Sequence, residues 1–212
     1  MDCCQCQGIE TVFDRKTADK ELKQYRKDGP RKTTRMLLDA LKAEGIEGMT
    51  LLDIGGGIGV VQHELLAAGA SSATHVDAAT AYIAVAKEEA ARQGHADRLS
   101  HQYGNFVDLA PNIPPADIVT LDRVICCYHD MRSLVGLSAE RARKLYGVVY
   151  PRDTWWMKAA MRVMNAVMWV SRNRFRGFVH PTEAVEAIVR QAGFERRSYR
   201  PGFLWQVAVY AR

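Results

Sequence analysis

The stretch LLDIGGGIGVVQHELLAAG, Leu51 to Gly69, runs from an apolar segment through a cluster of glycines straight into a second apolar segment. Few local structures accept that order. A buried strand, a tight turn and a helix do, with Gly55, Gly57 and Gly59 supplying backbone angles that side chains resist. Such a junction points the first N–H groups of the helix outward, at a ligand. It lets that ligand approach the main chain closely. The dinucleotide fingerprint asks for a further glycine at the sixth position counted from Gly55, and Val60 stands there. The phosphate-binding loop that ends in Gly-Lys-Ser/Thr is absent as well. A nicotinamide oxidoreductase is therefore the weakest enzyme reading.

Strand and helix patterns alternate through most of the chain. Strands are expected at 49–54, 72–78, 99–105, 116–122 and 146–151, and helices at 60–69, 80–94, about 131–145 and 181–193. In the helix at 80–94, Tyr82, Val85, Ala86 and Glu89 share a spacing that suits one face. FERRSYRPG and LWQVAVYAR close the chain as two strands joined by a short Pro-Gly turn, which makes them antiparallel neighbours. The alternation predicts an α/β fold: a doubly wound, mainly parallel seven-stranded sheet with an antiparallel closing strand and a helical insert after strand five. It divides into an N-terminal arm (1–30), a core (31–153), the insert (154–180) and the closing elements (181–212).

The insert stands apart in composition. TWWMKAAMRVMNAVMWVSRNRFRGFVH carries Lys158, Arg162 and Asn165 as a narrow polar stripe on a helix otherwise built from Trp, Met, Val and Ala. Three readings fit it: a packed core helix, a lid over an apolar acceptor, or a helix lying in a membrane interface. Charge separates along the chain too. Residues 1–140 carry net −5 and residues 141–212 carry +10, so the last third suits an anionic acceptor, a lipid surface or nucleic acid.

A donor made of a nucleoside and a charged amino-acid tail, without phosphates, suits the glycine loop better than a dinucleotide. Asp77, ending strand two, is placed to accept hydrogen bonds from ribose hydroxyls. Asn105 is placed for an adenine amine and Phe106 for the face of its ring. Asp122, ending strand four, is placed to face an ammonium group. These positions fall at the carboxyl ends of parallel strands, where open sheets bind ligands.

With those residues in view, the sequence resembles the class I S-adenosylmethionine-dependent methyltransferases. LLDIGGGIG is similar to that family's first motif, Asp/Glu-x-Gly-x-Gly-x-Gly, and VDAA, GNF and DIVTLD fall where its later motifs belong. The resemblance implies a Rossmann-like methyltransferase fold and S-adenosyl-L-methionine as cofactor. It implies donor contacts from Asp53, Gly55, Gly57, Gly59, Asp77, Ala78, Asn105, Phe106 and Asp122. Asn105 departs from the Asp found in many members, keeping an acceptor and losing a charge. The overall plan resembles small-molecule O-methyltransferases of the magnesium-protoporphyrin type, which implies an arm tyrosine, here Tyr25, and a histidine after strand four; Cys127 stands at that position, and the candidate, His129, lies about two residues beyond it. A phenol or alcohol acceptor would use His129 as base, with Asp130 orienting its ring. A carboxylate acceptor would need none. Arg123, Arg152 and Arg174 are candidate clamps for an acidic acceptor.

Other classes are narrowed by what the chain lacks. RNA methylation draws on the basic last third, but the Asp/Asn-Pro-Pro-aromatic motif of exocyclic-amine methyltransferases is missing. A non-catalytic donor-binding protein would carry the same cofactor motifs. The cysteines at 3, 4, 6, 126 and 127 form no disulfide pattern and point to a reducing cytoplasm. CCQC offers three thiols where structural zinc takes four ligands, so no metal is expected. MDCCQCQG lacks the layout of a signal peptide, and no apolar run is long enough to span a bilayer.

Overall fold

The computed structural model describes the chain from residue 4, and its side chains from residue 8. Cys3, and the side chains of Cys4 and Cys6, lie outside the described residues. Helices α1 (Cys4–Val12), α2 (Arg15–Asp28) and α3 (Lys32–Lys42) precede strand β1 (Thr50–Ile54), helix α4 (Val60–Ala67) and strand β2 (Ser72–Asp77). Helix α5 (Thr80–Arg92), strand β3 (Leu99–Tyr103), the short helix α6 (Phe106–Leu109), strand β4 (Ala116–Asp122) and helix α7 (Met131–Glu140) follow. Strand β5 (Ala142–Pro151), helix α8 (Trp155–Val170), helix α9 (Thr182–Gln191) and strands β6 (Glu195–Pro201) and β7 (Trp205–Ala211) complete the chain.

The seven strands form one sheet in the order β3-β2-β1-β4-β5-β7-β6. Strands β1 to β5 pair in parallel, while β7 runs antiparallel to both β5 and β6. One apolar core lies between the sheet and α7 and α9, around Leu121, Val135, Tyr146 and Val189. A second lies on the other face under α3 and α4, around Leu37, Leu41, Leu65 and Ile118. Burial on both faces explains the near-continuous apolar runs of β1 and β4. Gly147 in β5 belongs to this packing: a Cβ there would lie 2.7 Å from Leu37 Cδ1.

Two local expectations change. The helix expected to run to residue 145 ends at Glu140, and β5 begins at Ala142 instead of residue 146. Arg143 and Lys144 suit a helix, but the pairing of Ala142 with Ala116 at the start of β4 takes the segment into the sheet. The arm is helical as well. Asp14 caps α2 by accepting a hydrogen bond from the Thr17 N–H at 2.8 Å, and Ala18 and Leu22 bury its inner face against α5.

Candidate functional site

β1 ends in Asp53 and Ile54, and the chain then turns through the glycine loop into α4. Gly57 sits at φ +58 and its N–H donates to Asp77 Oδ2 at 2.9 Å, so the loop is fastened to the end of β2. Gly56, which the spacing argument passed over, is required for a different reason. A Cβ there would collide with Gln62, Asp53 and His75, because those side chains fill the space beneath the loop. Gly59 is the left-handed N-cap of α4, where a Cβ would come within 2.9 Å of His63 Nε2.

Asp53 is 1% exposed. It accepts from Thr120 Oγ1 at 2.7 Å and from Gln62 Nε2 at 3.0 Å. Burial pushes its pKa up to about 6 against the pull of those two hydrogen bonds. Two histidine pairs lie in the same region: His63 and His95, both buried, with ring nitrogens 3.2 Å apart, and buried His75 with half-buried His101 at 3.0 Å. Burial, with the neighbouring ring of each pair, holds His63 and His101 down at about 4. Each pair joins residues far apart in sequence, so no local pattern announced them.

A cavity of about 360 Å³ opens at the carboxyl ends of β1, β2 and β4 and beside the loop after β3. Its lining includes Asp53, Gly55, Gly57, Asp77, Ala78, Asn105, Phe106, Asp122 and Tyr25. The fold thus brings together all but two of the donor-binding and catalytic residues expected from the sequence, and of the three candidate clamps Arg123 lines the cavity while Arg152 and Arg174 do not. Gly59 belongs to the helix cap behind the loop. His129 is exposed, and its ring stacks on that of Tyr128, which does line the cavity. Asp130 caps α7 through Ser133 and is committed to that role.

The polar groups of the lining are themselves held. Asp77 accepts from the N–H groups of Gly57 and Ala79, each through one oxygen, which leaves a lone pair on each for a ligand hydroxyl. Asn105 caps α6, and its amide donates to Asp108 and to Tyr128 Oη at 3.1 Å. Asp122 accepts from Thr34 Oγ1, and from Arg123 Nε at 3.2 Å. Arg123 sits in left-handed backbone at φ +64, a conformation that costs a non-glycine residue about 1–2 kcal/mol. Cys126 and Cys127 hold their sulfurs 3.8 Å apart, and both thiols donate to the Arg123 carbonyl. The hydrogen bond from Cys126, together with burial, pushes the Cys127 thiol up, so it stays protonated and unreactive.

α1 and α2 close the other side, through Ile9, Phe13, Glu21, Gln24 and Tyr25. Of this roof only Tyr25 was expected from the sequence, as the arm tyrosine that the resemblance implies. The Tyr25 hydroxyl donates to Glu64 at 3.1 Å, and burial, helped by the Glu64 charge, pushes its pKa up to about 12. Glu89 anchors α2 to α5. Its carboxylate receives Arg26 at 2.6 Å, Arg92 at 2.5 Å and Gln93 at 2.7 Å. No residue of 154–180 lines the cavity. Instead, the segment after α8 packs behind its wall: Phe178 N–H donates to the Cys126 carbonyl at 2.7 Å, and Phe175 meets Phe13 edge-on. His180 Nε2 lies 2.9 Å from the Tyr128 carbonyl.

Acidic acceptors, loop N–H groups and an apolar floor around Ile54, Val76 and Phe106 form one donor set. It suits a ligand with ribose-like hydroxyls, a flat ring and a positive charge, and gives little to a diphosphate. Among the described residues, no cluster of three or more His, Cys, Asp or Glu side chains has the geometry of a metal site. No helix among them is long and apolar enough to cross a membrane.

Residues 4–143 match the family described as O-methyltransferase domain. Magnesium protoporphyrin IX methyltransferase of Synechocystis PCC 6803, solved with bound SAH, superposes with a TM-score of 0.67 at 14% identity, over 96% of this chain and 85% of that one. An O-methyltransferase family protein of Burkholderia thailandensis gives 0.71 at 20% identity, over 96% and 62% of the two chains. The pyocyanin biosynthetic protein PhzM gives 0.58 at 20%, over 83% and 54%. At these identities the likeness is one of fold. No curated protein matches the sequence.

Proposed function

The chain belongs to the O-methyltransferase domain family and is an S-adenosylmethionine-dependent methyltransferase, and from that premise we propose that it methylates an oxygen of a small acidic acceptor, a carboxylate above all. The observation that carries this reading is the make-up of the cavity wall. It holds the glycine loop, Asp77 and Asp122 on one side, and Arg31 and Arg123 as cationic groups, with no histidine among the described lining residues. A carboxylate is already a nucleophile at neutral pH and needs no base, whereas a phenol or alcohol does.

The chain's own residues then have separate tasks. When bound, S-adenosylmethionine supplies an electrophilic methyl group on a sulfonium. Asp77 would accept from its ribose hydroxyls, and Phe106 with Val76 would pack against its adenine. Asp122, held by Thr34 and Arg123, would face the ammonium of its amino-acid tail. The roof of α1 and α2 excludes water, so the acceptor rather than solvent meets the methyl group. Arg31 and Arg123 orient the acceptor's acid; both are paired, with Glu21 and Asp122, so an incoming carboxylate must exchange for or share those partners.

The test is release of S-adenosylhomocysteine in a panel of aromatic and aliphatic carboxylic acids, each beside its amide, with tRNA and rRNA as controls. Turnover with acids and none with amides supports the reading. Turnover confined to RNA overturns it.

A further inference from the structure

Helix α8 does not bury what its sequence leads one to expect. Nine large apolar or aromatic side chains stand exposed among the described residues. Five are on α8 (Trp155, Val163, Val167, Trp169 and Val170) and two, Phe203 and Leu204, are in the turn between β6 and β7. The two groups are one surface, since the Trp156 ring stacks on Phe203 at 4.9 Å. Trp155, Trp169, Val170 and Phe203 are 81%, 71%, 74% and 79% exposed, far beyond scattered surface apolar residues.

The faces of the helix divide sharply. At about 100° per residue, Met157, Met161, Met164 and Met168 share one face. That face is covered by the returning chain: a Cβ on Gly177 would collide with Met161 and Met164, and Asn165 exchanges two 2.8 Å hydrogen bonds with the Gly177 backbone. Ala159, Val163, Ala166, Val167 and Val170 turn the other way, to solvent. Along one edge between the two faces run Lys158, Arg162 and the rings of Trp155 and Trp169, with the two tryptophans about 21 Å apart along the axis. Residues 154–182 hold five basic side chains and no acidic one. Lys158 is tied to Asp153, while Arg162 and Arg172 are exposed.

We propose that α8 and the β6–β7 turn dock the protein on an anionic lipid surface, with the helix lying in the plane of the interface. The division of labour fits that occupant. Valine and alanine enter the acyl boundary, the tryptophans sit at headgroup depth, and the basic edge meets lipid phosphates. A protein partner would ask for shape and for charges of both signs, and this surface offers a smooth apolar strip whose neighbouring acid, Asp153, is already taken up by Lys158. The docked face adjoins the cavity, because Pro151, just before α8, pairs with the cavity-lining Trp205. The inference does not depend on which acceptor is methylated.

Co-sedimentation of the full chain with phosphatidylcholine vesicles, with and without phosphatidylglycerol, tests it. Binding should be roughly tenfold or more stronger with the anionic lipid and should weaken in high salt. The blue shift of tryptophan emission should accompany it. Val163→Glu/Val167→Glu should lower binding by roughly tenfold or more, and Arg162→Glu/Arg172→Glu should remove the preference for anionic lipid. Lys16→Glu/Lys20→Glu, the same change of charge on α2, should leave both intact. Circular dichroism and S-adenosylhomocysteine binding check that each variant is folded; should the valine pair misfold, the arginine pair, which lies on the surface, decides. Absence of binding to anionic vesicles overturns the proposal, as does equal binding to neutral ones. A stable dimer that Val163→Glu/Val167→Glu dissociates, without vesicle binding by the parent, assigns the face to a second copy and overturns it too.

Discussion

Replacing Glu89 tests whether the roof over the cavity is held by one buried charge. Its side chain is fully buried, and it ties Arg26 on α2 to Arg92 and Gln93 at the end of α5. Burial opposes the charge, but hydrogen bonds from Arg92, Gln93 and Arg26 prevail and hold the pKa down at about 2. Hydrogen bonds to a charged group are worth about 1.5–3 kcal/mol each, though not additively. Arg26 and Arg92 keep 45% and 53% of their side chains exposed, so they return to water when their partner is lost. The cost of Glu89→Ala should therefore stay below that of stranding buried charges, at about 2–4 kcal/mol. Urea unfolding measures it. Glu89→Gln should recover part of the loss through its amide oxygen. Because α2 carries Glu21, Gln24 and Tyr25 into the cavity wall, S-adenosylhomocysteine affinity should fall in Glu89→Ala as well, while Arg15→Ala, which removes the more exposed α2–α5 pair with Glu88, should scarcely change it. A loss of stability under about 0.5 kcal/mol would refute the reasoning, since that is the scale of an exposed ion pair. Stability should also fall as pH drops from 4.5 through 2, because the depressed carboxylate must then be protonated.

Asp53 should show the opposite sign. Its folded pKa of about 6 lies above the ordinary carboxylate value of 3.8, so its contribution is present below 3.8 and lost as pH rises through 6. The stability advantage of Asp53→Asn over the parent should therefore grow by roughly 2–3 kcal/mol between pH 4 and pH 7.5; Gln62 can turn its unpartnered Oε1 to the new amide. A pH-independent difference would sink this. His129→Ala should change kcat on a carboxylate acceptor by less than about threefold, whereas a general base is worth about a hundredfold or more. A loss on that larger scale would return His129 to the chemistry and point to a phenol or alcohol acceptor.

How much of this was legible depended on how local the cause was. The strand–turn–helix junction, the five parallel strands and the antiparallel close follow from periodicity and turn chemistry within short windows, and each is in the structure. The start of β5 was missed because pairing with β4 outweighs the helical preference of Arg143 and Lys144. Most of the donor-side residues meet in one cavity because parallel strands end at one edge of the sheet, a consequence of topology alone. Of the roof only Tyr25 was legible, through the resemblance. The apolar residues of α1 and α2 are few, and what holds α2 is a buried carboxylate whose helical spacing reads like that of a core position. The histidine pairs under the glycine loop were hidden for the same reason, since only the sheet register brings His75 opposite His101. The exposed apolar face of α8 inverted the simplest expectation, because the sequence shows amphipathic character without showing which face the fold covers.

Calorimetric titration with S-adenosylhomocysteine tests the central claim most directly, using the parent chain, Gly57→Val and Asp77→Ala, with NAD as the competing ligand. The parent should bind in the micromolar range, corresponding to about 8 kcal/mol, and NAD should give no heat. Gly57→Val should abolish binding, because a β-branched residue at φ +58 moves the loop that the Asp77 carboxylate fastens. Asp77→Ala should weaken it by about 1.5–3 kcal/mol. Undiminished binding by Gly57→Val, or binding of NAD in place of S-adenosylhomocysteine by the parent, would contradict the account.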